Sequence, residues 1–323
     1  MNIVTRAWRA LISRPPFYVM TLFLLFLLLV PLMTDDLYLI GVLVLANVYA
    51  IFTSSWDILS GYSGKENFGH TLFIGAGAYG AAYLNLYLGV PPMLNLLLCG
   101  LIGAVFGVLI GIPCLPLVGP YLALATMAAA SIAERLTMIF SKYTGGEEGL
   151  YGLEPITAGP VGDYYLSLIL VIITTVILMA IGYSKQGLIL RSIKEDEIAS
   201  EAAGINTNRY KLAAFAVSAF FAGMGGAFYA HYQMYTGPTN LSIIMAVTII
   251  IMCMIGGMGT IVGPVLAAYM LTISNEFLRS IGDLRLLVYT GLLVVIVLFL
   301  PRGIFTVILE RLPGLGYRRK VSN

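Results

Sequence analysis

Hydrophobic residues run in long blocks along this chain, and polar residues collect between the blocks. Ten blocks reach or approach the roughly 17–25 apolar residues that cross a bilayer as a helix. They lie at about Phe17–Met33, Leu39–Leu59, Phe68–Leu88, Met93–Leu115, Tyr121–Phe140, Tyr164–Tyr183, Leu212–Tyr232, Ser242–Ile255, Val262–Leu278 and Leu286–Leu300. The third, eighth and ninth are short or rich in glycine. Such segments can be re-entrant, or broken and buried in protein, because irregular backbone at membrane depth has to avoid lipid. The pattern predicts an all-α polytopic membrane protein of about ten transmembrane helices.

Composition agrees. The 323 residues are 59% hydrophobic and 11% charged, with a mean hydropathy of +0.92. A soluble domain is about one quarter charged, so this chain has too little polar surface to cover itself in water. Charge sets the orientation. With a cytoplasmic N-terminus and ten spans, fourteen basic residues fall inside: Arg6, Arg9, Arg14, Lys65, Lys185, Arg191, Lys194, Arg209, Lys211, Arg302, Arg311, Arg318, Arg319 and Lys320. Lys142, Arg279 and Arg285 fall outside, and Arg135 lies within a block. The positive-inside rule expects this skew, and both termini are expected to be cytoplasmic. No small-x-small cleavage site follows the first block, which therefore reads as an uncleaved span. The whole chain, 1–323, reads as one membrane domain. Cys99, Cys114 and Cys253 show no metal spacing and read as packing residues.

One stretch breaks the apolar pattern. Ser184 to Lys211 reads SKQGLILRSIKEDEIASEAAGINTNRYK and carries five basic and four acidic residues. Ile193, Ile198, Ala202 and Ile205 recur at roughly helical spacing and predict one apolar face. Glu195, Asp196 and Glu197 suit a helix start, Gly204 suits a left-handed stop, and Thr207 suits the cap of the next span. The island is either a docking surface for a soluble partner or a solvated connection.

Glycine marks two further places. Gly61-Tyr-Ser-Gly-Lys-Glu-Asn-Phe-Gly-His70 leads into a block holding Gly75, Gly77 and Gly80, and Gly256-Gly-Met-Gly-Thr-Ile-Val-Gly-Pro264 precedes a block holding Tyr269. Both fit tight helix packing or broken helices beside a substrate path, and their likeness hints at an internal repeat. Ser63, Asn67 and His70 bring hydrogen-bonding groups to the first of these places. Glu134, beside Arg135, is the fair candidate for a carboxylate at membrane depth, and such residues are functional hypotheses by default. Thr144–Gly149 opens a glycine-rich acidic loop placed outside. No GxxxxGK[ST], HExxH or GxSxG occurs, so any ATP-driven activity must come from another subunit, and the reading is not that of an enzyme.

In order, GYSGKENFGHTLFIGAGAYGAAYL (61–84), GPYLALATMAAASIAE (119–134), TGGEEGLYGL (144–153), the run from Gly187 to His231, IGGMGTIVGPVLAAY (255–269) and LPRGIF (300–305) resemble the M-type permease subunit of branched-chain amino acid ABC transporters. The resemblance implies an inner-membrane permease that pairs with a second, related permease as a heterodimer. It implies two cytoplasmic ATPase subunits carrying ATP and Mg, and a periplasmic substrate-binding protein. It implies no cofactor on this chain. Lipid is the expected surrounding, and no nucleic-acid partner is expected.

By the same resemblance, residues 184–211 are the ATPase-coupling loop, carried by Arg191, Glu195, Glu197, Ile198, Ala199, Glu201, Ala202, Ala203, Gly204 and Ile205. The general permease pattern places its glycine four residues after the second alanine, whereas Glu201-Ala202-Ala203 is followed at once by Gly204. Aligning on Gly204 puts Ile198-Ala199-Ser200 at the motif instead. Branched-chain or other hydrophobic amino acids are the implied substrates. Urea, short amides and aromatic acids fall under the same resemblance, and an ion-coupled secondary transporter is the competing class.

Overall fold

The computed structural model describes residues 15–117, 119–277, 291 and 303–305. Among these residues the chain forms α1 (Pro15–Met33), α2 (Leu37–Ser63), α3 (His70–Leu86), α4 (Pro92–Cys114), α5 (Pro120–Ile139) and a short α6 (Ser141–Thr144). Then come α7 (Pro160–Gly182), α8 (Lys185–Glu195), α9 (Glu197–Ala202), α10 (Thr207–Gln233), α11 (Ile243–Gly256) and α12 (Val262–Phe277). Nine of the ten apolar blocks coincide with helices to within a few residues. The tenth, Leu286–Leu300, lies outside the described residues, as do Arg279, Arg285 and the basic residues of both ends.

Among the described residues, α2, α4, α5, α7 and α10 are long and apolar enough to cross a membrane. With 14 residues α11 falls below the roughly 17–25 of a span, α3 with 17 is at its lower limit, and the described part of α12 has 16. These are the three blocks that the sequence marks as short or rich in glycine.

The centre is α2, buried on every side from Ala50 to Ser63. A helix in that position must satisfy its polar side chains within the protein. Ser54 Oγ donates to Ala50 O at 2.7 Å and Thr53 Oγ1 to Tyr49 O at 2.8 Å. Asn47 Nδ2 donates to Ser167 Oγ of α7 at 2.7 Å, and its Oδ1 accepts from the Tyr269 hydroxyl of α12. Asp36 caps the helix start and Gly64, at φ 71°, ends it.

A second nucleus joins α3, α4 and α10 through glycine. A Cβ placed on Gly77 would lie 2.1 Å from Gly223 O, and one on Gly103 would lie 2.3 Å from Ala219 O. Between helices in lipid, apolar burial gains little, and close backbone contact supplies the attraction. In α4, Gly100, Gly103, Gly107 and Gly111 form a stripe at spacings of three and four, all turned towards α10.

Two connections run back into the bundle. His70 Nε2 lies 3.1 Å from Ser55 Oγ, so residues 64–69 retrace the last two turns of α2, about 12 Å, before α3 starts. At the other end, Leu150–Tyr151 (β1) pairs antiparallel with Tyr235–Thr236 (β2). The chain then descends through a buried 3-10 turn, Pro238–Leu241, whose Leu241 O accepts from Thr71 Oγ1 at 3.2 Å. His231 ties the acidic loop down: Nδ1 lies 2.7 Å from Glu154 O and Nε2 lies 3.0 Å from Asn95 Nδ2. Glu147 and Glu148 stay exposed on that loop.

Replacing Gly77 by Val is expected to destabilise the purified protein by about 1–3 kcal/mol or prevent its assembly. Gly159→Ala, at an extended residue with nothing within 4 Å, is the matched control and is expected to leave the detergent melting temperature unchanged.

Candidate functional site

The island folds as two helices. Gly187 allows a tight start: a Cβ there would lie 2.2 Å from Gly182 O, where α7 ends. Ser184 Oγ caps α8 by accepting from Gln186 N at 3.2 Å. Leu190 and Ile193 turn inward and are buried. At Asp196 the backbone becomes extended, and its carboxylate caps α9 by accepting from Ala199 N at 2.9 Å. This break overturns the single apolar face expected from the sequence. Ile193 is 3% exposed, whereas Ile198 beyond the break is 80% exposed. A capping aspartate beats helical continuity here because its side chain competes for the backbone N–H groups.

Gly204 ends the island at φ 83°, as the sequence predicted. The cap of α10, however, is Asn206, whose side chain accepts from Arg209 N at 3.1 Å. Thr207 is the first helical residue instead, and its hydroxyl donates to Glu201 Oε1 at 2.6 Å.

Charge fastens the island to the bundle. Glu197 bridges Lys65 Nζ, at 2.9 Å, and Lys211 Nζ. Both lysines are buried, and a buried ammonium group is costly unless paired. Burial opposes the charge on Glu197, but the hydrogen bonds and positive charges of Lys211 and Lys65 outweigh it and hold the carboxyl below its ordinary pKa. Lys194 Nζ donates to Gly61 O at 2.8 Å, in the last turn of α2. Arg191 donates to Gly259 O at 3.0 Å and lies 4.6 Å from the centre of the Tyr62 ring. A cleft of about 470 Å³ opens between α9 and residues 115–116, bordered by Lys65, Pro116, Ile198, Glu201 and Asn208.

Of the residues singled out in the sequence, Ile198, Ala199, Ala202, Ala203 and Gly204 are exposed, as are Glu195 and Glu201. Arg191, Glu197 and Ile205 are half-buried. The island residues therefore share one layer at one end of the bundle.

Ser63, Asn67 and His70 are all buried, but they line up along the last two turns of α2 and do not form one cluster: Ser63 ends the helix, Asn67 lies by Ser60 and Trp56, and His70 lies by Ser55. Ser63 Oγ donates to Leu59 O at 2.6 Å within its own helix. Asn67 Oδ1 accepts from Gly69 N at 2.9 Å, and its carbonyl accepts from Trp56 Nε1 at 2.6 Å. Glu134 lies apart from all three. It is half-buried on α5, two turns beyond Thr126, the residue whose Oγ1 accepts from Phe68 N at 3.1 Å.

The sequence reading of Glu134 as the fair membrane-depth carboxylate missed Asp57. This side chain is fully buried in α2. Oδ1 accepts from Gly259 N at 2.6 Å and from Cys253 Sγ at 3.4 Å, and Oδ2 accepts from Ile261 N at 2.9 Å. The signal was a lone acid inside the block Leu39–Leu59, which is itself grounds for a functional hypothesis.

Membrane-length helices, shorter helices met by buried turns, and a polar two-helix insert define an all-α membrane protein of the permease class. A family model described as "Branched-chain amino acid transport system / permease component" matches residues 38–298, and the chain belongs to that family. It is similar to the high-affinity branched-chain amino acid transport system permease protein LivM of Salmonella typhimurium, with 29% identity over 286 residues, 80% of this chain and 67% of that one. LivM of Escherichia coli is 29% identical over 294 residues, covering 82% and 69%. The probable branched-chain amino acid transport permease protein LivH of Methanocaldococcus jannaschii is 23% identical over 275 residues, covering 80% and 87%. No solved structure matches the chain.

Glu197→Gln is expected to cost about 1.5–3 kcal/mol, the scale of a hydrogen bond to a charged group. A carboxyl with a lowered folded pKa stabilises fully above its unfolded value, near 4.3, and loses that effect as pH falls through the folded value. The gap in melting temperature between wild type and variant should therefore hold from pH 8 to 6 and close below about pH 4.

Proposed function

We propose that the chain is the transmembrane permease subunit of an ATP-binding-cassette importer, with residues 184–211 as its ATPase-coupling loop. One observation carries this reading: the island is anchored to the bundle through Glu197, Lys194 and Arg191, while its far side presents Ile198, Ala199, Ala202 and Ala203 to solvent. A solvated connection needs neither the anchors nor an outward apolar face. Family membership supports the same assignment.

In this reading residues 1–323 form one membrane domain with about ten membrane-crossing or membrane-entering helices and a repeat relating the two glycine turns. Both termini and the island lie on the cytoplasmic side of a bacterial inner membrane. Two ATPase subunits, carrying ATP and Mg, bind beneath, a second related permease completes the path as a heterodimer, and a periplasmic binding protein delivers substrate. The chain itself performs no hydrolysis. Ser63, Asn67, His70 and Glu134 lie along the path, the first three closed off in the conformation described above. The names of the similar proteins favour branched-chain or other hydrophobic amino acids as cargo. Apolar helices suit apolar side chains, and helix ends can hold the zwitterionic head without fixed charges.

Motion of the ATPases reaches the membrane only through the island, so island geometry controls transport. Gly204 has nothing within 4 Å of a would-be Cβ, but its φ of 83° strains any β-branched residue. Gly204→Val is therefore expected to leave folding intact while abolishing leucine uptake and binding-protein-stimulated ATPase in proteoliposomes. Wild-type uptake by the variant, or recovery of the intact chain from native membranes without any ATPase after cross-linking at 184–211, overturns the proposal. In the second outcome, uptake that survives ATP depletion and collapses with the ion gradient favours the secondary transporter.

A further inference from the structure

Turn 257–261, between α11 and α12, is held from two sides by one residue. Gly259 gives its N–H to Asp57 of α2 at 2.6 Å and its carbonyl to Arg191 of the island at 3.0 Å. Two further contacts make the grip specific. A Cβ on Gly61 would lie 2.5 Å from Gly259 N, so the turn rests directly on the last turn of α2. From the island, Lys194 holds Gly61 O at 2.8 Å, one helical turn from Arg191, whose guanidinium covers Tyr62. The turn itself is not relaxed: Gly257, Gly259 and Ile261 all have positive φ, at 100°, 82° and 62°. Positive φ at Ile261 is unfavourable for a β-branched residue and persists only where its surroundings hold it. Asp57 Oδ2, accepting from Ile261 N at 2.9 Å, is part of that hold.

We infer that turn 257–261 is the element through which the island moves the membrane helices, with Arg191 as the outer grip and Asp57 as a positioning residue inside. The inference rests on the reading of 184–211 as a coupling loop and adds its destination. Displacement of α8 pulls on Gly259 through Arg191. Because Asp57 ties the same residue to α2, the turn cannot yield locally, and the pull passes to the start of α12 and the end of α2. The turn is a short segment at the ends of two helices, the kind of element in which hinge motions concentrate, and both grips meet at one of its residues. Loss of either grip uncouples the island from turn 257–261 and the start of α12, while Lys194 and Glu197 still hold it to the rest of the bundle.

The test uses the complete importer in proteoliposomes and reads substrate transported per ATP hydrolysed. A change that merely lowers the number of folded complexes reduces both quantities together and leaves this ratio unmoved. Arg191→Gln and Asp57→Asn are each expected to lower the ratio by at least about fivefold, the lower range of typical coupling effects, with the double variant no worse than the single ones. Arg191→Lys, which keeps one donor, is expected to recover part of the ratio. A second readout is Met258→Cys, placed in the turn where Met258 is 40% exposed. The three natural cysteines are buried, so labelling by a polar maleimide reports the new thiol. Its rate should differ between nucleotide-free and vanadate-trapped complexes, and Arg191→Gln should abolish the difference.

An unchanged ratio in Arg191→Gln together with retained nucleotide dependence of labelling overturns the inference. Should Asp57→Asn fail to assemble, Arg191→Gln and the labelling decide alone. If binding protein stimulates no ATPase even in the wild-type complex, the coupling-loop reading itself falls, and this inference with it.

Discussion

Backbone that leaves the helix inside a membrane protein must find its hydrogen-bond partners in the protein, because lipid offers none. In this chain the obligation falls on one stretch of α2, Ser55 to Ser63. Asp57 takes the N–H groups of Gly259 and Ile261. Trp56 and Ser60 take Asn67 O and Asn67 N, and Ser55 meets His70. Both irregular turns at this end of the bundle therefore depend on the same two helical turns. That accounts for the buried Ser55, Asp57 and Ser60 near the end of a central membrane helix, whereas Ser54 and Ser63 donate to carbonyls of their own helix. It also explains the packing. Helices that begin or end at such turns can be short, so α3 and α11 need not span by themselves.

The charged layer is the second consequence. The end of α2 exposes carbonyl groups with no helical partner, and the island supplies cations to them: Lys194 to Gly61 and Arg191 to the neighbouring Gly259. Lys65 and Lys211, buried beside them, would be unfavourable alone. Glu197 lies between the two and is the acid whose position on α9 makes their burial tolerable. The break at Asp196 is what puts it there. A continuous helix through residues 185–202 would rotate Glu197 and Ile198 together with Ile193, and the pair of lysines would lose its partner.

How far this could be read from the sequence follows from which interactions are local. Nine apolar blocks became helices because hydrophobic length is a local signal. Gly204 at positive φ was legible for the same reason. The Asp196 break was harder: an acidic run, Glu195 to Glu197, suits a helix start anywhere along it, and the cap to Ala199 N decides where the new helix begins. Thr207 and Asn206 are both good caps, and only the hydroxyl's engagement with Glu201 removes the first from that role. Asp57 was illegible in its role because its partners lie about two hundred residues away. The glycine stripe of α4 has a readable spacing, but its partner, α10, has to be seen. Ser63, Asn67 and His70 stand close in sequence, but the return of residues 64–69 along α2 spreads them over two helical turns, and that return depends on Ser60, Trp56 and Ser55, which have to be seen.

The distribution of charge and apolar surface on the island constrains what can dock there. Arg191, Lys194 and Glu197 are committed to the bundle, and Asp196 to the cap of α9. The outward residues are Ile198, Ala199, Ala202, Ala203 and Gly204, one branched side chain on a surface of small ones. A partner approaching α9 would meet its backbone closely and Ile198 as the large apolar side chain, with exposed charges of both signs around it at Lys185, Glu195, Glu201 and Arg209. Recognition of this kind depends on shape and desolvation more than on Coulomb attraction, and rim charges tune its rate more than its strength. The contacts that hold the island to its own bundle are charged and partly buried, whereas its outward tip is apolar, so anchoring and any outward contact rest on different kinds of interaction.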